Sequence, residues 1–392
     1  MTQPLQPKRN NRELDILTAH FTATASKFGF IHAPPTPLLS DDETLLFANS
    51  TIAGYKQHLT EGRLPSPGLS IVQDCIRNQN LKSIRSWGED LEYMSCFTQL
   101  GILGCPESLP QILEFITHYL SSISNRDHLL CRVSRSLALY EPVTQNIDAW
   151  QIETDRRSPD FYHWRYGLEG VKGEGVTFAI LDQERGGYRD IGNFIEISSG
   201  DSVLGYEFGF GGETLNSRLR GLDSPFESCL LQDYLDLRDE PFLKRKVFDS
   251  LMLAAMLCAI GVDEKTLKRA SILRRAMNDL FYLTYLCRLE TQLILAVGRK
   301  YLQAKGMAER HFILTFTTFE RRVNAKINQA RQYINYTKMH EMSWGRARRH
   351  CVERIGFPAV YFEKIFESSG ERSIDRLSAT LPNAAPSRIR SA

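Results

Sequence analysis

The chain has 392 residues, 42% of them hydrophobic and 24% charged, and its 48 basic and 46 acidic side chains leave a net charge of +2. That composition belongs to a folded chain rather than a disordered one, and the length suits two or three domains of about 100–200 residues each. A near-neutral total neither demands nor forbids a polyanionic partner. The longest apolar run, residues 251–260, has 10 residues, about half of the roughly 20 that span a bilayer, so no membrane partner is expected. The first 15 residues hold no apolar core of a secretory signal. None of the eight cysteines forms a C-x-x-C pair, which fits buried free thiols in a reducing, cytoplasmic setting. The nine histidines are scattered, and no metal site is expected from them.

In chain order, Leu14, Leu17, Phe21 and Phe28 give a helical spacing over 13–30. The prolines of 32–43 forbid regular helix. A strand or turn at 45–50 leads into a short helix. SIVQDCIRN reads as a strand running to Arg77, and LEYMSCFTQLGILG as its antiparallel return across a polar loop. A helix follows over 107–124, with Pro110 in its first turn, then a strand candidate at 128–139. Residues 164–220 alternate apolar pieces with closely spaced glycines, which suit tight turns or a bound ligand. Neither a phosphate-binding G-x-x-x-x-G-K loop nor a dinucleotide fingerprint occurs. Beyond 222 the pattern is helical: one helix ending at Gly261, one over 264–300, and a third on which Phe316, Phe319, Val323, Ile327, Ala330 and Ile334 recur every three or four residues.

Three features carry chemistry. Arg77 ends a strand candidate beside a polar loop, where a guanidinium can grip a phosphate or carboxylate with two nitrogens; an ordinary solvated arginine is the other reading. Glu207 sits among glycines in GYEFGFGGE, where Gly209 and Gly211 leave space for a ligand. An acidic wall there suits an ammonium group or a ribose, against the alternative of a solvated turn. Trp164 suits a small-molecule cavity or plain packing. Finally, residues 310–350 carry nine cations against Glu320 and Glu341, a local charge of +7. Arg321, Arg322, Lys326, Arg346 and Arg349, interleaved with aromatics, suit a nucleic-acid backbone or a solvated helix face.

Seven stretches in order, PLLSDDETLLFANSTIAGYKQHL, QDCIRNQN, FTQLGILG, YGLEGVKGEGVTFAI, YEFGFGGET, FDSLMLAAMLCAIGVDEKTLKRASILRRA and IGFPAVYFEKI, resemble the amino-terminal part of alanyl-tRNA synthetase, a class II aminoacyl-tRNA synthetase. Nothing resembles that family's editing or C-terminal domains. The resemblance implies an α+β fold: an antiparallel sheet flanked by helices over 13–220, an all-helical domain like the tRNA-recognition region over 221–370, and a tail without regular structure over 371–392. It implies ATP and Mg as cofactors, a small amino acid as substrate, and tRNA as a partner. Arg77 matches the motif 2 arginine that bridges the amino-acid carboxylate and the α-phosphate. Glu207 stands where the family binds the substrate ammonium with an aspartate. Asn49 and Trp164 match pocket residues, with Gly209 beside them; Gly211 and Arg218 fall on the nucleotide side.

Several matches fail. The motif 3 arginine is Thr214, and Arg218 or Arg220 offers a substitute. The glutamate of the returning strand is Thr98, and the one after the glycine-rich loop is Thr177. The tRNA-reading asparagine and its acidic partner are Thr266 and Trp344. The sequence therefore suggests an ATP-dependent ligase that makes an aminoacyl-adenylate and passes the acyl group to an acceptor other than tRNA(Ala). A catalytically silent paralogue acting as a binding or regulatory module is one alternative, and tRNA-dependent transfer with altered recognition is another. The preferred amino acid, the acceptor and the oligomeric state stay open.

Overall fold

The computed structural model describes residues 10–39, 45–147, 150–154, 159–231, 240–263 and 267–366; the tail over 371–392 and Thr266 lie outside them. In the first half, helices α1 (Asn10–Lys27), α2 (Lys56–Thr60), α3 (Asn80–Ser83), α4 (Leu109–Ile123), α5 (Tyr140–Asn146) and α6 (Gly212–Leu219) are interleaved with nine strands. These are β1 (Ile31–Ala33), β2 (Gly68–Ile76), β3 (Cys96–Gly104), β4 (Leu129–Val133), β5 (Gln151–Thr154), β6 (His163–Arg165), β7 (Val171–Asp182), β8 (Gly187–Ser199) and β9 (Ser202–Gly211). Helices α7 (Pro241–Ala259), α8 (Leu267–Leu286), α9 (Thr291–Ala304), α10 (Arg310–Met339), α11 (Trp344–Glu353) and α12 (Ala359–Phe366) follow.

The strands form one sheet in the order β1-β2-β3-β9-β8-β7-β4-β5, with β6 added on β7. The interior pairings are antiparallel; the two outer pairs, β1–β2 and β4–β5, are parallel. The expected architecture is thus present: an antiparallel sheet flanked by helices, followed by an all-helical region. The β2–β3 hairpin read from sequence is in register from Gly68 opposite Gly104 to Ile76 opposite Cys96.

Side chains alternate across a strand, and this alternation positions the site. Leu100 and Ile102 of β3, Val176 and Phe178 of β7, and Phe208 and Phe210 of β9 face a core shared with Phe21 of α1 and Phe115 and Tyr119 of α4. The residues between them turn to the opposite, open face. There the backbone comes so close to the chain ahead of β2 that a Cβ at Gly101 would lie 2.1 Å from Thr51 Oγ1. Gly101→Ala is therefore expected to cost about 1–3 kcal/mol in urea unfolding, as overpacking does; an unchanged midpoint would refute this close fit.

The helices after residue 240 share one core with Phe47, Ile76, Leu81, Met94 and Cys96, so the β2–β3 connection is packed into the helical region. Polar ties reinforce that packing. Asp249 of α7 accepts from Ser95 N and Ser95 Oγ, both at 2.6 Å, and from Asn80 Nδ2 at 3.2 Å. Asp279 of α8 accepts from Arg85 Nε and Tyr361 Oη, and Lys246 donates to the Ser83 carbonyl at 2.8 Å.

Of the strand or turn read at 45–50, the structure has bends and no strand. Two sequence expectations need correction. The strand at 128–139 stops at Val133, where Ser134 and Ser136 join hydroxyls at 2.9 Å and the chain turns. The helix expected over 264–300 is two helices: Arg288 adopts φ 52°, and Leu289 N closes on the Thr284 carbonyl at 3.0 Å. The apolar period continues across this break, and no glycine or proline marks it. By contrast Gly261, at φ 85°, ends α7 as the sequence suggests. On α10 all six periodic positions are buried. Trp344 is buried too, its ring 5.2 Å from that of Phe362.

Candidate active site

On the open face of the sheet lies a cavity of about 950 Å³. Strand alternation supplies its floor: Phe97 and Gln99 from β3, Thr177 from β7, Asn193 from β8, and Glu207, Gly209 and Gly211 from β9. Arg77 enters just past the end of β2, Asn49 from the chain ahead of it, and Trp164 from β6. The structure thus brings Asn49, Arg77, Trp164, Glu207, Gly209 and Gly211 to one cavity.

Glu207 is 6% exposed. Tyr166 Oη donates to its carboxylate at 3.1 Å, and Thr51 Oγ1 and Ile52 N also donate to it. Burial raises its pKa above the ordinary carboxylate range; those donors and the charge of Arg77 only partly offset this. Glu207 is therefore a desolvated anion whose charge favours a cation beside it. Arg77 is exposed. Its Nε donates to the Asn49 carbonyl at 2.9 Å, and its guanidinium lies 4.9 Å from the Phe97 ring centre. These two contacts aim the fork while leaving its terminal nitrogens without a hydrogen bond among the described residues. Asn49 thus acts on Arg77 through its backbone; its side-chain oxygen accepts from Ser50 Oγ at 3.3 Å.

Other candidates are placed differently. Arg218 is buried on α6 and is not among the cavity-lining residues; its Nε and Nη1 have no hydrogen-bond partner among the described residues. Thr214 and Thr177 line the cavity, and Thr177 Oγ1 donates to Asn193 Oδ1 at 3.0 Å. Thr98 faces the other way: its N–H donates to Glu213 at 2.9 Å, and Lys305 of the helical region joins Asp74 beside it. Burial raises the Glu213 pKa, which Lys305 opposes; for Lys305 the burial penalty is outweighed by Asp74 and Glu213, and its pKa is raised. Phe97 and Gln99, not Thr98, are the residues of that strand on the cavity side. Arg321, Arg322, Arg346 and Arg349 are exposed on α10 and α11, whereas Lys326 donates to the Gly356 carbonyl at 3.0 Å.

Sequence reasoning missed Thr51, Lys56, Phe97, Tyr166, Asp190 and Asn193. The available signal was period-two alternation, which puts Phe97 on the face of Gln99 and Asn193 opposite Gly209. Lys56 and Arg165 also line the cavity, so three cations stand against the carboxylates Glu207 and Asp190. Asp190 is paired with Arg132. Among the described residues no group of three or more His, Cys, Asp or Glu side chains is placed to hold a metal ion, and no helix is long and apolar enough to cross a membrane.

No family model matches this chain. No curated protein matches it either. Among solved structures, apo histidyl-tRNA synthetase from S. aureus is similar over 61% of this chain and 75% of that one, at 11% identity and a TM-score of 0.37.

Proposed function

We propose that this chain is a divergent ligase of the class II synthetase type, which activates a small amino acid with ATP and passes the acyl group to an acceptor other than tRNA(Ala). The observation that carries this reading is that Arg77, just past the end of β2, and Glu207 of β9 bring opposite charges to one cavity. A free amino acid presents an ammonium and a carboxylate on one carbon. Glu207 takes the ammonium, Arg77 takes the carboxylate, and Trp164 and Gly209 bound the side chain.

The cavity exceeds what an amino acid fills, and its volume is in the range of nucleotide-sized ligand sites. Phe97 offers an aromatic face to an adenine, with Thr177, Asn193 and Gly211 beside it. ATP supplies the electrophilic α-phosphorus. A carboxylate oxygen attacks that phosphorus, the bond to the β-phosphate bridge breaks, and pyrophosphate leaves with the electron pair. Arg77 offsets the negative charge that builds on the α-phosphate. Among the described residues the cavity offers no acidic cage for Mg, since Asp190 is engaged with Arg132; a Mg ion here would rest on phosphate oxygens and water.

Pyrophosphate exchange with each of the twenty amino acids tests the reading; no exchange by well-folded protein would remove it. Glu207→Gln keeps an oxygen for Tyr166 but drops the charge. Its affinity for the amino acid is expected to fall about tenfold to a hundredfold, the worth of a charged hydrogen bond. In the parent protein, affinity should weaken on acidification at a pH above the ordinary carboxylate range, because only ionised Glu207 attracts ammonium. Titration calorimetry across pH measures both.

A second reading, a silent binding or regulatory module, is favoured by the neutral Thr177 and Thr214 on the nucleotide side of the cavity. Amino-acid binding without exchange is its signature. A third reading, use of charged tRNA, is favoured by the exposed arginines of α10 and α11. If it holds, Arg346→Ala with Arg349→Ala lowers the salt slope of tRNA binding by about 2 in a filter assay. Eight free cysteines support a reducing compartment such as the cytoplasm.

A further inference from the structure

A second cavity, of about 370 Å³, adjoins the first: Asn78 and Gln79, the two residues after Arg77, line both. Its other polar walls are Lys82 from α3 and Ser271 and Arg275 from α8. The charged groups on this lining are therefore two cations from different elements, with no carboxylate. Lys82 is exposed. Arg275 is tied to the Leu81 carbonyl, and its Nε is buried without a hydrogen-bond partner among the described residues. Asp279 lies 3.9 Å from that Nε, yet its oxygens already accept from Arg85 at 2.8 and 3.1 Å and from Tyr361 at 2.9 Å. Two cations held apart by the fold and facing one cavity are set to receive an anion.

We propose that this second cavity is an anion subsite that seats the acyl acceptor: a small molecule with a phosphate monoester or carboxylate at one end and an amine at the other. The role as acceptor site rests on the activation reading above. With its anionic end between Lys82 and Arg275, such a molecule extends past Asn78 and Gln79 toward the carbon activated beside Arg77. The amine nitrogen attacks the acyl carbon of the adenylate. A C–N bond forms, the bond from that carbon to the phosphate oxygen breaks, AMP leaves with the electron pair, and the amine's proton passes to water. A cavity of this volume falls in the range of small-molecule sites.

The test is calorimetric titration of the full chain with phosphoethanolamine, which carries both groups. Saturable binding is expected, about tenfold weaker in Lys82→Ala, from the loss of one charged contact. Ser271→Glu, which brings a carboxylate to the lining, is expected to weaken it at least as much. Both positions are exposed, so the variants should melt like the parent; Arg275→Gln adds a third probe if it folds. Failure to bind phosphoethanolamine, or binding indifferent to both substitutions, overturns the proposal. So does displacement of the probe by a non-hydrolysable ATP analogue, which assigns the cations to the nucleotide's own phosphates. Binding of tRNA but of no small phosphate compound also overturns it, in favour of an RNA end. Because the titration needs no turnover, Lys82-dependent binding in a protein without pyrophosphate exchange keeps the anion subsite and removes only the activation reading.

Discussion

Arg77→Ala is expected to lower pyrophosphate exchange by roughly 10²–10³-fold, the usual effect of deleting one donor aimed at developing charge, while leaving the melting temperature nearly unchanged. The two halves of this prediction come from the same geometry. The side chain is exposed, and its contacts among the described residues are one hydrogen bond to a carbonyl and one ring face. Surface groups held this lightly contribute within about 0.5 kcal/mol to stability. The terminal nitrogens have no hydrogen-bonded partner among the described residues, so their value is realised toward whatever enters the cavity. Arg77→Lys keeps the charge and loses the planar fork. It should recover only a small part of the rate, because a point charge cannot hold carboxylate and phosphate together. Full exchange in Arg77→Ala would mean that the chemistry is organised around other groups, such as Lys56 or Arg165. A large fall in melting temperature would mean that Arg77 serves the fold.

The sequence was legible where a local rule decides the outcome. The β2–β3 hairpin follows from two apolar runs around a polar loop, and the α10 stripe from a period that all six positions keep. Gly261 stops α7 because only a residue tolerant of positive φ fits there easily. The break at Arg288 was illegible, because a non-glycine residue takes the left-handed conformation and the surrounding contacts hold it. Within the site, resemblance pointed to Arg77 and Glu207, but the partners that define their chemistry come from elsewhere in the chain. Tyr166 is 41 residues from Glu207, and Asn49 is 28 from Arg77. No spacing rule links such pairs; the sheet order does. The same holds for Thr98. Its alignment with a family glutamate gives no hint that β3 turns it toward Glu213, and that hint appears only once the strand's register is known.

Asp249 shows how far the helical region reaches into the site. The Arg77 N–H donates to the Ser95 carbonyl at 2.8 Å, and Ser95 in turn donates twice to Asp249. A buried carboxylate on α7 thereby fixes the residue that fixes the base of Arg77. Asp249→Ala takes the acceptor from Ser95 N and Ser95 Oγ, at about 1–3 kcal/mol for each buried group, while Asn80 Nδ2 keeps the Tyr93 carbonyl at 2.6 Å. A loss of about 3 kcal/mol in urea unfolding at pH 5 is expected. The loss should be smaller at pH 7. Burial raises the Asp249 pKa from 3.8 to about 6, against the donors from Ser95 and Asn80. The folded state therefore holds this proton more tightly than the unfolded state. The resulting stability is fully present below about pH 3.8 and is lost as pH rises through about 6. The whole shift is worth roughly 3 kcal/mol at about 1.4 kcal/mol per unit, of which roughly 1 kcal/mol falls between pH 5 and pH 7. Asp249→Asn, which cannot ionise, should flatten that part of the profile while keeping an acceptor for Ser95 N. If both variants track the parent's pH dependence, the Asp249 carboxylate is not the group that titrates. If Asp249→Ala unfolds with the parent's midpoint, the tie between α7 and the base of Arg77 carries no weight, and the helical region does not position the site through Ser95.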